Sequence, residues 1–127
     1  MADAVTSQTL VDGERNVVMK FTNISDGTGE AAVTKVTASA LGGSPANLRI
    51  DRIITSTYGM QVNILWDATT PVTAWVLSQS ECNDYDFRHF GGLKNNGGAG
   101  VTGNIKFSTV GASAGDSYSV ILHLSKM

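Results

Sequence analysis

Two short segments of this chain match sequence patterns that bind nucleotides or carry a catalytic serine. Residues 98–103 read G-x-G-x-x-G, the pattern of loops that hold a dinucleotide pyrophosphate at the N-terminus of a helix. Residues 111–115 read G-x-S-x-G, the nucleophile elbow of hydrolases, and Asp116 and His123 follow as candidate triad partners. Both chemistries require a helix directly after the motif, whereas alternating apolar and polar residues follow here. We therefore interpret both segments as loops between strands, and we predict no catalytic and no cofactor-binding residues.

Four side chains of metal-ligand type, Cys82, Asp84, Asp86 and His89, lie within eight residues of one another. Their spacing matches none of the cysteine and histidine patterns of zinc sites. Asp84 and Asp86 would share one face of a strand, which suits a surface calcium ion. We favour a solvated strand and loop over either site, and we predict no metal-binding residues.

Three aromatic residues, Tyr85, Phe87 and Phe90, lie just before the glycine-rich segment 91–103. Exposed aromatic rings stack on sugars or on protein partners, so this cluster is a candidate binding site. A satellite of the hydrophobic core is the alternative that we favour. Trp66 ends an alternating apolar run, and we expect its side chain in the core.

The elements that would position these residues are indicated by an alternation of apolar and polar residues with a period of two. The alternation is clear in residues 16–24 and 116–125, and no segment has helical spacing. The sequence predicts eight or nine short strands separated by glycine-rich or polar turns, with candidates at residues 5–11, 14–24, 31–38, 48–58, 60–66, 72–78, 84–90, 104–110 and 117–126.

The predicted strands define the expected fold class. Since no crossover helix separates them, the sheets should be antiparallel. We expect an all-β fold, an antiparallel, jelly-roll-like β-sandwich of eight or nine short strands, with a simpler Greek-key sandwich as second choice. The 127 residues suit a single domain, 1–127. In the fourth strand Leu48, Ile50, Ile54 and Tyr58 share one phase, although Arg52 interrupts it, which predicts that these four residues face the same side.

Composition and charge argue against several classes of function. The net charge is −2 and there is no run of lysine or arginine, which argues against nucleic-acid binding. The single cysteine, Cys82, cannot form an intrachain disulfide. No apolar run approaches the roughly 20 residues of a membrane helix, and residues 1–6 lack the features of a signal peptide. We therefore expect a soluble protein that is made in a cytoplasm and binds neither nucleic acid nor membrane.

Several stretches resemble small virion proteins of tailed bacteriophages. They are MADAVTSQTLVDGERNVVMKFTNISDGTGE at the start, YGMQVNILWDATTPV in the middle, and GGLKNNGGAGVTG with FSTVGASAGDSYSVILHL towards the end. The resemblance extends from Thr6 to Leu124. The stretches carry no catalytic motif, so they indicate a family rather than a mechanism.

Within that group, the size and the all-β pattern resemble a capsid decoration (cement) protein. The resemblance implies a non-enzymatic protein on the virion surface, made in the bacterial host cytoplasm, whose partner is the major capsid protein. It also implies a homo-oligomer, a trimer or a dimer, that clamps neighbouring capsid subunits. Residues 1–9 are polar and rich in β-formers, so we hypothesise an extended arm that adds a strand to a neighbour's sheet. A tail or adsorption-apparatus protein and a carbohydrate-binding β-sandwich are the alternatives.

Overall fold

The computed structural model describes residues 4–25, 27, 30–43, 47–80, 82–95, 98, 100, 102–111 and 113–126, without the side chains at positions 4, 5 and 90. Its strands are β1 (Ala4–Asp12), β2 (Asn16–Ile24), β3 (Val33–Val36), β4 (Leu48–Tyr58), β5 (Gln61–Trp66), β6 (Val72–Leu77), β7 (Cys82–Asp86), β8 (Ile105–Val110) and β9 (Ser117–Lys126). Two short 3-10 helices span Ala38–Ala40 and Arg88–Phe90. Among the described residues, no helix is long and apolar enough to cross a membrane.

The strands pair as in one long antiparallel hairpin, with β2 to β5 in one arm and β6 to β9 in the other, that has folded over into two sheets. β2 pairs with β9, β3 with β8, β4 with β7 and β5 with β6, and all of these pairs are antiparallel. Pairing of β4 with β9 and of β5 with β8 joins them into sheets of order β1-β2-β9-β4-β7 and β3-β8-β5-β6. This nested pairing is that of a jelly roll, with β1 added at one edge. The predicted jelly-roll-like antiparallel β-sandwich is confirmed.

The core lies between the two sheets and is built by the alternating side chains. Phe21 of β2, Phe107 of β8 and Tyr118 of β9 are buried and meet edge to face, with ring centroids 5.2 and 5.8 Å apart. Trp66 is 1% exposed, which confirms its predicted place in the core. Every second residue of β2, β5 and β9 is buried, in agreement with the alternation of apolar and polar residues in these segments.

The prediction for β4 was wrong in its second half. Leu48 and Ile50 are buried, but Ile54 lies on the outer face and Tyr58 is 66% exposed, whereas Ile53 is fully buried. A bulge between Ile50 and Arg52 causes this change, because one extra residue reverses the phase of all residues after it.

The predicted strand 84–90 was wrong at both ends. β7 ends at Asp86, and the 3-10 helix Arg88–Phe90 follows. The Asp86 side chain stops the strand, because its Oδ1 accepts the backbone N–H of Arg88 at 2.9 Å and so turns the chain. Gly91 then ends the helix with φ +87°, in the left-handed region that glycine adopts without strain.

Candidate functional site

The described residues of segment 98–103 lie outside the strands, Thr102 is tied to the turn that follows β5, and β8 comes after the segment as predicted. Thr102 Oγ1 donates to Asp67 Oδ2 at 2.7 Å, and the Thr102 N–H donates to the Asp67 carbonyl at 3.2 Å. The hydrogen bond from Thr102 lowers the pKa of Asp67, and the hydrogen bond and charge of Lys106 lower it further. Since a strand occupies the place of the required helix, the segment lacks the geometry that holds a pyrophosphate.

The segment 111–115 comes between β8 and β9, and hydrogen bonds between Ser113 and Asp116 form a turn there. Ser113 donates its N–H to Asp116 Oδ2 at 2.8 Å, and the Asp116 N–H donates to the Ser113 carbonyl at 3.0 Å. His123 lies seven residues further along an extended strand, about 24 Å from Asp116 at roughly 3.4 Å per residue. Asp116 and His123 are therefore too far apart to act together on a serine.

Two of the four candidate metal ligands, Asp84 and Asp86, are held in ion pairs instead, whereas Cys82 is an exposed free cysteine and His89 is exposed. Arg52 Nε donates to Asp84 Oδ1 at 2.7 Å and a second bond joins Arg52 to Asp84 Oδ2, while Arg88 binds Asp86 through both carboxylate oxygens. These hydrogen bonds lower the pKa of Asp84 and hold that of Asp86 far below its usual range. Among the described residues, no group of three histidine, cysteine or acidic side chains is placed to hold a metal ion.

The aromatic side chains near β7 close one side of the sandwich. The Trp75 ring packs edge to face on Tyr85 and Phe87, with centroids 5.2 and 4.8 Å apart, and Phe87 is only 5% exposed. Since Trp75 belongs to the edge strand β6 and Tyr85 to the edge strand β7, this contact joins the margins of the two sheets. Phe87 is thus part of the core, and the side chain of Phe90 lies outside the described residues.

All four arginines of the chain gather at one end of the sandwich. Arg15 lies in the β1–β2 turn, Arg49 and Arg52 in β4, and Arg88 in the 3-10 helix after β7. Because β2 and β4 begin where β7 and β9 end, the antiparallel pairing brings these four positions together. The result is a cleft of about 290 Å³, the arginine cleft, lined by Arg15, Asn16, Arg49, Asp51, Arg88, Gly91 and Ser125.

One wall of the arginine cleft is built from tightly packed polar groups. Arg49 Nε donates to Asp51 Oδ1 at 2.9 Å and a second guanidinium nitrogen donates to Ser125 Oγ at 3.2 Å, while Ser125 Oγ donates to Asp51 Oδ2. Gly92 packs against this group so closely that an added Cβ would lie 2.6 Å from Asp51 Oδ1. These contacts hold the Arg49 guanidinium in one orientation before any ligand arrives.

The charges around the cleft leave one cation without a counterion. Arg49, Arg52 and Arg88 each pair with an aspartate, whereas Arg15 is exposed and forms no ion pair with any described residue. His123 lines an adjoining hollow of about 270 Å³, and burial and then Arg52 and Arg88 lower its pKa. Guanidinium groups bind carboxylates and phosphates through paired N–H bonds, so the cleft suits an oxyanion.

Sequence reasoning missed this site. The arginines are scattered between residues 15 and 88, so no basic run marks them. The close pair Arg49 and Arg52 was the only local signal, and Asp51 between them made it look neutral.

A second charged cluster lies at the opposite end and is buried. Glu30 forms an ion pair with Lys35, and Glu30 Oε1 accepts from Tyr118 Oη at 2.5 Å and from Asn23 Nδ2 at 3.0 Å. The side chains of Lys35 and Glu30 are only 4% and 6% exposed. Because solvent and ligands barely reach it, we interpret this cluster as structural.

Comparisons with known proteins add a likeness in fold only. No protein-family model and no curated protein matches the chain. Among solved structures, a cupin superfamily protein from Desulfitobacterium hafniense is 10% identical with a TM-score of 0.37, over 100% of this chain and 81% of that one. A family 29 carbohydrate-binding module in mutant form is 12% identical (TM-score 0.41, 97% and 79% covered), and another is 11% identical (0.42, 95% and 88%). Likeness at this level carries no argument about what the chain binds.

Proposed function

We propose that this chain is a structural, non-catalytic virion protein that attaches to the outside of a tailed-bacteriophage head and stabilises contacts between major capsid subunits. The resemblance in sequence suggests the setting, and a rigid jelly-roll sandwich suits a protein that acts through its surfaces. The observation that carries the proposal to a site is the gathering of three of the four arginines, Arg15, Arg49 and Arg88, around one cleft.

The chemistry of the arginine cleft favours an acidic segment of the capsid protein as its ligand. Arg15 supplies a positive charge that no described residue neutralises in an ion pair, and Arg49 presents a guanidinium that Asp51 and Ser125 hold in place. A glutamate or aspartate side chain entering the cleft would form charge-assisted hydrogen bonds with both. Phe87 is buried, so the structure does not favour the carbohydrate-binding alternative.

The test is binding of the purified protein to heads that lack it, followed by co-sedimentation and by the temperature at which the heads open. We expect saturable binding and a raised opening temperature. The Arg15→Glu variant should bind at least about tenfold more weakly, because it places a negative charge where the ligand's carboxylate would lie. Lys20→Glu is the matched control: it makes the same charge change in the middle of β2 and should bind like the wild type.

Two results would contradict the proposal. Failure of the wild-type protein to bind heads would reject the decoration role, and electron microscopy of labelled virions would then locate the protein on a tail or elsewhere. Equal weakening by Arg15→Glu and Lys20→Glu would mean that overall charge, and not the arginine cleft, controls attachment.

A further inference from the structure

The two sheets have four edges, and three of them carry features that block pairing with another strand. β7 has five residues and two charged side chains, Asp84 and Asp86. β3 has four residues, includes Lys35 and is interrupted by a bulge. β6 follows Pro71 directly and is also irregular where it pairs with β5. Short length, charge, proline and bulges are the features that natural proteins use to keep sheet edges from joining.

The fourth edge, β1, has almost none of these features. It has nine residues, Ala4–Asp12, and the first eight of them carry no charge and no proline. Its pairing with β2 is regular from Ala4 to Thr9, with a bulge only near Leu10. The charge of Asp12 is already paired, since Lys126 Nζ lies 2.6 Å from its Oδ1.

The outer edge of β1 is also accessible. No described strand pairs with it on the side away from β2, and its side chains from Thr6 to Asp12 are all exposed. Leu10 and Val11 are 45% and 49% exposed, which is high for such apolar side chains in a strand. A long, uncharged edge with exposed apolar groups is the kind of edge to which a further strand adds.

We propose that β1 pairs in antiparallel orientation with β1 of a second copy of this chain, so that two five-stranded sheets become one continuous sheet across a twofold axis. A second copy fits because antiparallel pairing about a twofold axis needs only one competent edge per chain, and β1 is that edge. The absence of charged residues in 4–11 also favours this pairing, because no like charges would face each other across the two copies.

This pairing differs from the arm expected from the sequence. Residues 4–12 pair with β2 of their own chain, so dimerisation needs no detached segment. The backbone groups along the free side of β1 would gain hydrogen bonds, and Leu10 and Val11 would lose contact with water. The proposal is independent of attachment to a head.

The first test is the mass of the purified protein in solution, measured by light scattering or by sedimentation at micromolar concentrations. We expect a dimer. Thr6→Lys should weaken the dimer at least about tenfold, because a lysine within the paired segment brings its charge close to the same lysine of the other copy. Thr73→Lys places the same exposed substitution on the edge strand β6 and should leave the dimer intact. A monomeric wild type, or a Thr6→Lys dimer as tight as the wild type, would overturn the proposal.

The second test is cross-linking, which is informative even where a lysine disturbs folding. In a Cys82→Ser background, single cysteines at Thr6, Ser7 and Gln8 scan the middle of β1. Opposed Cα atoms in antiparallel strands lie about 4.5–5.5 Å apart, within the reach of a disulfide. We expect rapid cross-linking at one or two adjacent positions and none at Thr73→Cys. Absence of cross-links at all three positions, or equal reaction at Thr73→Cys, would overturn β1 pairing whatever the result with heads.

Discussion

The substitution Glu30→Gln tests how the buried charges at one end of the sandwich are held. It removes the negative charge opposite Lys35 and keeps the shape of the side chain. The amide oxygen can still accept from Tyr118 and Asn23, which bind Glu30 Oε1 in the wild type. The amide nitrogen, however, would take the place of the oxygen that pairs with Lys35 and would face the ammonium group as a second donor.

The expected cost follows from burial of both partners. Removing one member of a buried ion pair costs about 3–5 kcal/mol, because the remaining charge loses both water and its partner. The retained hydrogen bonds place Glu30→Gln near the lower value, about 3 kcal/mol. The entropy of unfolding is about 2.1 cal/mol/K per residue, or about 0.27 kcal/mol/K for this chain, so the midpoint should fall by about 11 °C.

The assay is thermal unfolding followed by calorimetry, with urea unfolding as a second measure of the free energy. Asp86→Asn makes the same acid-to-amide change in the exposed pair with Arg88, and it should leave the midpoint nearly unchanged. Adding Lys35→Met to Glu30→Gln removes the unpaired cation and should restore at least about half of the loss. A midpoint that falls by less than about 4 °C, or no recovery of stability in the double variant, would refute the reasoning.

Three further predictions concern other parts of the fold. Gly59→Ala should cost about 1–3 kcal/mol in urea unfolding, since φ is +76° and a Cβ would lie 2.2 Å from Asp116 Oδ1; Gly43→Ala, with φ +79° and open space, should cost less. Phe107→Ala should cost about 3–5 kcal/mol in the same assay, because Phe107 is fully buried between two rings. The pKa of His123 is lowered by burial and then by the charges of Arg52 and Arg88. The His123 imidazole therefore binds a proton more readily in the unfolded chain than in the folded one, so stability should fall as the pH drops through about 6.5. His123→Gln should flatten the dependence of stability on pH in that range, and an unchanged dependence would contradict this role of His123.

The strands and their buried faces followed largely from the sequence. In β2, β5 and β9 the alternation of apolar and polar residues alone predicted which side chains are buried. That information is local, because successive side chains of a strand point to opposite faces whatever lies beside the strand. The nucleotide-binding and hydrolase motifs were rejected by the same local reasoning, since strands follow both.

The face of β4 and the position of the arginines depended on tertiary structure. A bulge is a property of two paired strands, so the outward turn of Tyr58 could not be predicted from its own segment, where the only irregularity is Arg52 in the apolar phase. Arg15 and Arg88 line the same cleft only because β4 and β9 pair in the middle of one sheet. The amino-acid sequence by itself thus determined an all-β sandwich and most of its core. Long-range strand pairing decided which charges share a cleft and which edge stays open, because sheet order depends on contacts between residues far apart in the chain.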